Sequence, residues 1–380
     1  MKAVTYQGFM NVKVKEVPDP KIEKDEDIIV RITASSICGS DLHFYHGMLP
    51  SLEKDYVIGH EAVGVVEEVG KKVESVKKGD KIVIPFNIAC GHCVYCESGL
   101  ESQCDESNQE PQAEVGAYFG CSRLFGDYPG SQAEMVRVPF ANFTSFRVPE
   151  SSELTDDLLV LLTDAIPTAY WGVENAGVKP GDTVIVFGSG PIGLLTQKFA
   201  WLKGAERVIA VDCVPYRLQH AKHTNHVEAY NFQEIQDLPN VLKELTKGGA
   251  DVVIDCVGMS GKMKPYELVE SALRLQGGAM GSVTSAIETV RKGGTIQLIG
   301  VYGLRYNGFP LGDLFSRNVT LKMGYAPVIR SLPYLYNLLQ KKELDPSDII
   351  THHLSLNDGE KAYKLFNKKQ EGCLKIILKP

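Results

Sequence analysis

The chain has 380 residues, of which 44 % are hydrophobic and 23 % charged, with a formal charge of −7. Such a length predicts about two domains, each long enough to bury its own core; the acidic balance argues against a nucleic-acid partner, which needs clustered Lys and Arg to neutralise phosphates. Met1 to Val17 lacks the apolar segment of a signal peptide, and no run of about 18 uncharged apolar residues predicts a membrane span, so the expected location is cytoplasmic.

The first ~150 residues read as β-rich. Ile28 to Thr33 alternates, and Ala62 to Val69 and Lys81 to Ile84 are short β-branched runs. Residues 97 to 131 are polar and Gly-rich and predict loops. The texture changes near Asp164. Thr183 to Phe187 is a continuous apolar strand of the kind buried in parallel sheets. A helix is expected over Pro191 to Leu202, a strand at Arg207 to Val211, and helices near Tyr216 to His223 and Leu238 to Thr246. A strand at Asp251 to Cys256, helices in 264 to 291 and a strand at Thr295 to Ile299 follow. Strand alternating with helix marks a doubly wound parallel sheet, so the fold class is α/β. The tail ends in a strand at Leu374 to Leu378 and is expected to return to the first domain.

Four of the nine cysteines stand at Cys90-x2-Cys93-x2-Cys96-x7-Cys104. Without an export signal, thiolate ligands are expected rather than disulfides. Four thiolates can wrap one tetrahedral zinc and leave no place open, so the role is structural. A disulfide pair or a redox role is the alternative. Cys121, Cys213, Cys256 and Cys373 read as packing residues. His220, His223 and His226 read as a solvated helix face.

Gly188-Ser-Gly190-Pro191-Ile192-Gly193 follows an apolar strand and opens a helix. Glycines there permit a tight turn, let backbone approach a pyrophosphate and let helix and strand pack closely. Asp212 closes the next strand at the distance expected of the acid that binds a ribose 2′-hydroxyl. A carboxylate there repels a 2′-phosphate, so NAD is expected over NADP. Arg217, on the helix that follows, is a further candidate cofactor contact. Outside the cysteine cluster, Cys38, His60 and Asp164 are zinc-ligand types that together leave a fourth position open. The residues alone also allow a buried core thiol, a turn histidine and a helix N-cap.

The combined motifs settle this by resemblance. Cys38-Gly-Ser40-Asp, Gly59-His60-Glu61, the four-cysteine lobe, the glycine loop, Asp212 and Lys375 resemble the zinc-containing medium-chain alcohol dehydrogenase family over nearly the whole chain. Thr163-Asp164-Ala-Ile-Pro-Thr168 resembles its glutathione-independent formaldehyde dehydrogenase branch. The resemblance implies a GroES-like catalytic domain over 1–165 and 325–380 and an NAD-binding Rossmann domain over 166–324. It implies two zinc ions: a catalytic one on Cys38, His60 and Asp164, and a structural one on the four cysteines. Glu61 matches an acid that can approach the metal. Ser40 and His43 match a proton relay from a zinc-polarised alcohol, and Thr168 and Ile192 match residues flanking the nicotinamide. Lys375 falls where an Arg usually meets the pyrophosphate, and Gly39 replaces a cationic residue there.

The implied activity is hydride transfer between a small alcohol or aldehyde, formaldehyde among them, and NAD. A polyol or threonine dehydrogenase is the alternative enzyme, and a non-enzymatic dinucleotide-binding protein the alternative class. A homodimer or homotetramer is expected.

Overall fold

The computed structural model describes residues 1–48, 52–110, 114–261, 278–303 and 305–380. They form two compact units, Met1–Pro167 with Pro327–Pro380, and Thr168–Ala326.

The first unit is built on a seven-stranded sheet. Its path runs Ile350–Ser355, Lys375–Lys379, Ile28–Ser36, Glu61–Val69, Lys81–Ile84 and Phe146–Arg147, with Met135–Val138 also paired to Ile28–Ser36. Pairing is antiparallel except between Ile350–Ser355 and Lys375–Lys379. Ile28, Val30, Ile32, Ala62, Val66, Ile82 and Ile84 fill one core. A second core joins Val4, Ile37, Tyr363, Phe366, Ile376 and Leu378. Amphipathic helix Gly359–Lys368 supplies its buried face, with Ala362, Tyr363, Leu365 and Phe366 at helical spacing. The tail thus belongs to this unit, because Ile377 pairs with Ser36 across the sheet.

The region expected as loops, 97 to 131, carries short elements among its described residues. They are the 3-10 turns Glu101–Gln103 and Arg123–Phe125 and the strand Ala117–Tyr118, which pairs with Asn87–Ile88. The turns close by local bonds, and pairing across the chain imposed the strand on a segment with no periodicity of its own.

The second unit carries a six-stranded parallel sheet in the spatial order Glu228–Asn231, Arg207–Asp212, Thr183–Phe187, Ala250–Asp255, Val290–Leu298, Thr320–Met323. Numbered along the unit, that order is 3-2-1-4-5-6, the dinucleotide-binding arrangement whose ligand crevice opens where strand order reverses. The reversal falls between Thr183–Phe187 and Ala250–Asp255. Helices Pro191–Leu202, Pro215–Thr224, Leu238–Leu245 and Gly281–Thr289 connect the strands. Of the helices expected in 264 to 291, Gly281–Thr289 is present, and the part over 264–277 lies outside the described residues. Glu228–Asn231 carries no apolar alternation and Thr320–Met323 only two apolar residues, Leu321 and Met323, so both escape sequence reading. They are the two ends of the sheet, half-buried or exposed along their length.

Candidate active site and metal centres

Two strands bring the first site together. Ser36 stands opposite Glu61 in the antiparallel ladder. Cys38, two residues beyond Ser36, and His60, one before Glu61, therefore emerge at the same strand ends. Asp164 arrives from elsewhere, at the end of the 3-10 turn Leu161–Thr163, where the Phe86 N–H donates to the Thr163 carbonyl at 3.1 Å.

The three side chains converge. Asp164 Oδ2 lies 3.2 Å from Cys38 Sγ and 3.2 Å from His60 Nε2. With Glu61, their ligand atoms all lie within 4.8 Å of one another, and all four residues are buried. Tetrahedral ligands around zinc stand about 3.3–3.6 Å apart for sulfur, nitrogen and oxygen donors. The donor set fits a zinc ion, and its electrostatics call for a cation. Burial pushes the Cys38 thiol up, and Asp164 and Glu61 push it further. Burial opposes charge on His60, yet Asp41 and Asp164 outweigh it and hold the imidazole well above its ordinary value.

The surroundings orient these groups. Asp41, which sequence reading missed, accepts the Cys38 N–H at 2.9 Å through Oδ2 and places Oδ1 3.2 Å from His60 Nδ1. That contact has a charge-pair distance but not hydrogen-bond alignment. The Cys-x2-Asp spacing of Cys38 and Asp41 was the available signal. Ser40 Oγ sits 3.4 Å from His60 Nε2, beside the tripod. His43 is buried on helix Asp41–Tyr45, and burial first, then His46, pushes its imidazole down to about 4. The buried Lys375 ammonium donates to Glu61 Oε1 at 2.7 Å and also to Oε2. Glu61 takes a further bond from the Ser36 hydroxyl. Burial pushes Glu61 up while Lys375 pulls it back, and the same pairing holds Lys375 above its ordinary value against the cost of burial. The pair forms because strand Lys375–Lys379 runs beside Ile28–Ser36, so Lys375 enters the core next to Glu61.

The second site is local. Cys90, Cys93, Cys96 and Cys104 bring their sulfurs within 4.8 Å of one another, and none is in a disulfide. Cys90 Sγ lies 3.9 Å from Cys96 Sγ, and Cys93 Sγ 3.8 Å from Cys104 Sγ. A ZnS4 tetrahedron with bonds of about 2.3 Å has edges of about 3.8 Å. The His92 and Cys93 N–H groups donate to Cys90 Sγ, and Cys90 N–H donates to Cys104 Sγ. Backbone donors of this kind stabilise thiolates.

In the second unit, the glycine loop runs from strand Thr183–Phe187 into helix Pro191–Leu202, with Gly190 at its N-cap and Pro191 at its first turn. A Cβ on Gly193 would stand 1.9 Å from the Gly188 carbonyl, so only glycine lets helix and loop pack there. Free N–H groups at that N-terminus favour an anion. Arg217 supports this: its Nη1 would stand 3.5 Å from a Cβ on Gly190, and its Nε is buried without a hydrogen-bond partner. Asp212 accepts the Ser189 N–H through Oδ2 at 2.7 Å, and those of Cys213 and Val214 through Oδ1 at 2.6 and 2.9 Å. Ile192 is half-buried in the helix's first turn, and Thr168 is buried on helix Ala165–Ala176.

A β-rich unit whose Cys38, His60 and Asp164 could hold a metal ion, and a unit with the strand order of a dinucleotide-binding sheet, are the parts a metal-dependent oxidoreductase needs. The family model of the alcohol dehydrogenase GroES-like domain matches residues 24–150, and that of the zinc-binding dehydrogenase matches 191–270. An uncharacterized zinc-type alcohol dehydrogenase-like protein of Bacillus subtilis is 58 % identical over 380 residues, covering all of both chains. A glutathione-independent formaldehyde dehydrogenase of Pseudomonas aeruginosa is 30 % identical, over 96 % of this chain and 94 % of its own. The alcohol dehydrogenase TADH from Thermus sp. ATN1 superposes with a TM-score of 0.85 at 32 % identity, over 100 % of this chain and 99 % of that one. The chain belongs to the zinc-containing medium-chain alcohol dehydrogenase family. It is an oxidoreductase of a family that works with zinc and a nicotinamide cofactor, and no helix among its described residues is long and apolar enough to cross a membrane.

Proposed function

We propose that the protein oxidises a small primary alcohol, or reduces the matching aldehyde, with NAD, and that formaldehyde-sized molecules are within its range. The observation that carries this is the convergence of Cys38, His60 and Asp164 at 3.2 Å contacts in a buried place, with a hydroxyl beside them. Zinc bound there supplies Lewis acidity towards a substrate oxygen, and a nicotinamide ring supplies the hydride acceptor. Cys38, His60 and Asp164 would hold the ion, and the four lobe cysteines would hold a second, structural one.

The chain's own groups handle the proton. Ser40 Oγ, next to His60, receives it from the substrate hydroxyl and passes it on towards His43. His43 is neutral at physiological pH, since burial depresses it to about 4, so it is an acceptor when the proton arrives. Glu61, neutralised by Lys375, adds no uncompensated charge behind the tripod. In the second unit, Gly188, Gly190 and the N-terminus of helix Pro191–Leu202 receive the pyrophosphate, aided by Arg217. Asp212 keeps acceptor capacity beyond its three N–H bonds, since an ionised carboxylate offers about four lone-pair sites. It therefore favours a ribose diol and disfavours a 2′-phosphate.

Exposed Leu311 and Phe315 on helix Leu311–Ser316 and exposed Met323 in the end strand Thr320–Met323 suit a homodimer or homotetramer. A cytoplasmic location suits the free cysteines. The test is turnover of zinc-replete protein on formaldehyde, short alcohols, sorbitol and threonine, each with NAD and NADP. The reading expects the highest kcat/KM on a short alcohol or formaldehyde with NAD; a strong preference for sorbitol or threonine overturns the substrate assignment.

A further inference from the structure

Behind the tripod lies a buried polar chain that the catalytic account does not use. The Tyr363 hydroxyl donates to Gln132 Oε1 at 2.9 Å. Gln132 Nε2 donates at 3.1 Å to Asp41 Oδ2 and at 3.1 Å to the Ser36 carbonyl. Asp41 faces His60 Nδ1. Tyr363 and Gln132 are 0 % exposed and Asp41 2 %, so water does not compete for these bonds. Unpaired groups at such depth are costly, which makes each link hold the next.

The orientation of Gln132 follows from its partners. Two acceptors on one side demand its NH2 group, and a hydroxyl donor on the other demands its oxygen. Its backbone is pinned as well: Val4 N–H donates to its carbonyl at 2.8 Å, and its own N–H donates to the Ile58 carbonyl at 3.1 Å. Gly59, immediately before His60, leaves room for it, because a Cβ there would stand 2.3 Å from Gln132 Cγ. The amide is therefore wedged beneath the very residue that precedes the metal-ligand histidine. With Oδ2 occupied by the Cys38 and Gln132 N–H groups, Asp41 has Oδ1 left for His60.

We propose that Gln132 and Tyr363 are positioning residues for the tripod: together they hold the Asp41 carboxylate 3.2 Å from His60 Nδ1, where its negative charge favours a proton on Nδ1 and leaves the Nε2 lone pair to the metal. The inference rests on the reading of Cys38, His60 and Asp164 as a metal site. Groups that orient a ligating histidine in this way typically change metal affinity about 10–100-fold when removed.

The experiment is metal exchange on the full-length protein loaded with Co²⁺ at the tripod and Zn²⁺ in the cysteine lobe. Its readouts are the visible spectrum of the cobalt and its release rate to a chelator. Gln132→Leu is expected to speed cobalt release about tenfold or more, and Tyr363→Phe about threefold, each with a shifted spectrum. Tyr363→Phe keeps the ring and guards against a Gln132 variant that does not fold. Tyr45→Phe is the control, since Tyr45 packs 5.6 Å from the Tyr363 ring outside the chain; it should leave spectrum and rate as in the parent. Release at the parent rate with superimposable spectra from folded Tyr363→Phe and Gln132→Leu overturns the inference. A parent protein that takes up no cobalt at the tripod sinks the metal-site reading instead, so the two failures are distinct.

Discussion

The cysteine lobe and the tripod both gather side chains of metal-ligand type, half of the lobe's and all of the tripod's buried, but they are made differently. The lobe takes its four sulfurs from 15 consecutive positions, Cys90 to Cys104, with backbone donors on the sulfurs from within the same loop. The tripod takes its three ligands from positions 126 residues apart at the extremes and depends on strand register and a 3-10 turn to meet. A local cluster of four thiolates leaves an ion no open place, which suits a stabilising role. A cluster assembled by the whole fold can stop at three ligands and keep one place for chemistry.

Breaking the tripod should have the largest effect. Cys38→Ala is expected to lower kcat/KM about 10³-fold or more, remove one metal ion per chain and leave the lobe's ion in place. Steady-state kinetics with metal analysis on the same sample checks this; near-parental turnover with one ion fewer breaks the comparison. Next comes the buried pair behind it. Lys375→Met strands the Glu61 carboxylate at 0 % exposure and should cost about 3–5 kcal/mol of stability, read from denaturant midpoints. Cys96→Ser in the lobe is expected to shed the other ion and lower Tm by about 5 °C or more, while activity per tripod-bound metal stays within about twofold. A lobe variant that loses the chemistry first would show that the two sites are not separable in this way.

The smallest effect is a pH dependence. Folded His43 stays neutral down to about 4, whereas the unfolded chain takes up that proton near 6.5. The unfolded state binds more protons in that window, so acidification from 6.5 towards 4 destabilises the fold; the loss is about 2 kcal/mol by pH 5. His43→Gln should remove this component, so the parent's Tm should fall further than the variant's between pH 7.5 and 5. Parallel Tm curves would place His43 in a wetter setting.

The same contrast explains what the sequence could say. Thr183–Phe187 and Pro191–Leu202 read directly, because continuous apolar runs and a glycine turn are local signals. The end strands Glu228–Asn231 and Thr320–Met323 did not, since a half-buried sheet edge needs no apolar pattern. The lobe was legible from spacing alone. The tripod needed family motifs, and its supports were invisible: Gln132 meets Asp41 across 91 residues and Lys375 meets Glu61 across 314. No periodicity encodes such contacts; the fold as a whole brings them together.

The central claim is that the tripod holds one zinc with a place left open. A crystal structure of the zinc-replete protein, with anomalous data at the zinc edge, tests it most directly. The account predicts two peaks per chain, one ringed by Cys38, His60 and Asp164 with a non-protein ligand in the fourth place, and one inside the four cysteines. No peak at the tripod, or one closed off by Glu61 as a permanent fourth ligand, would contradict it.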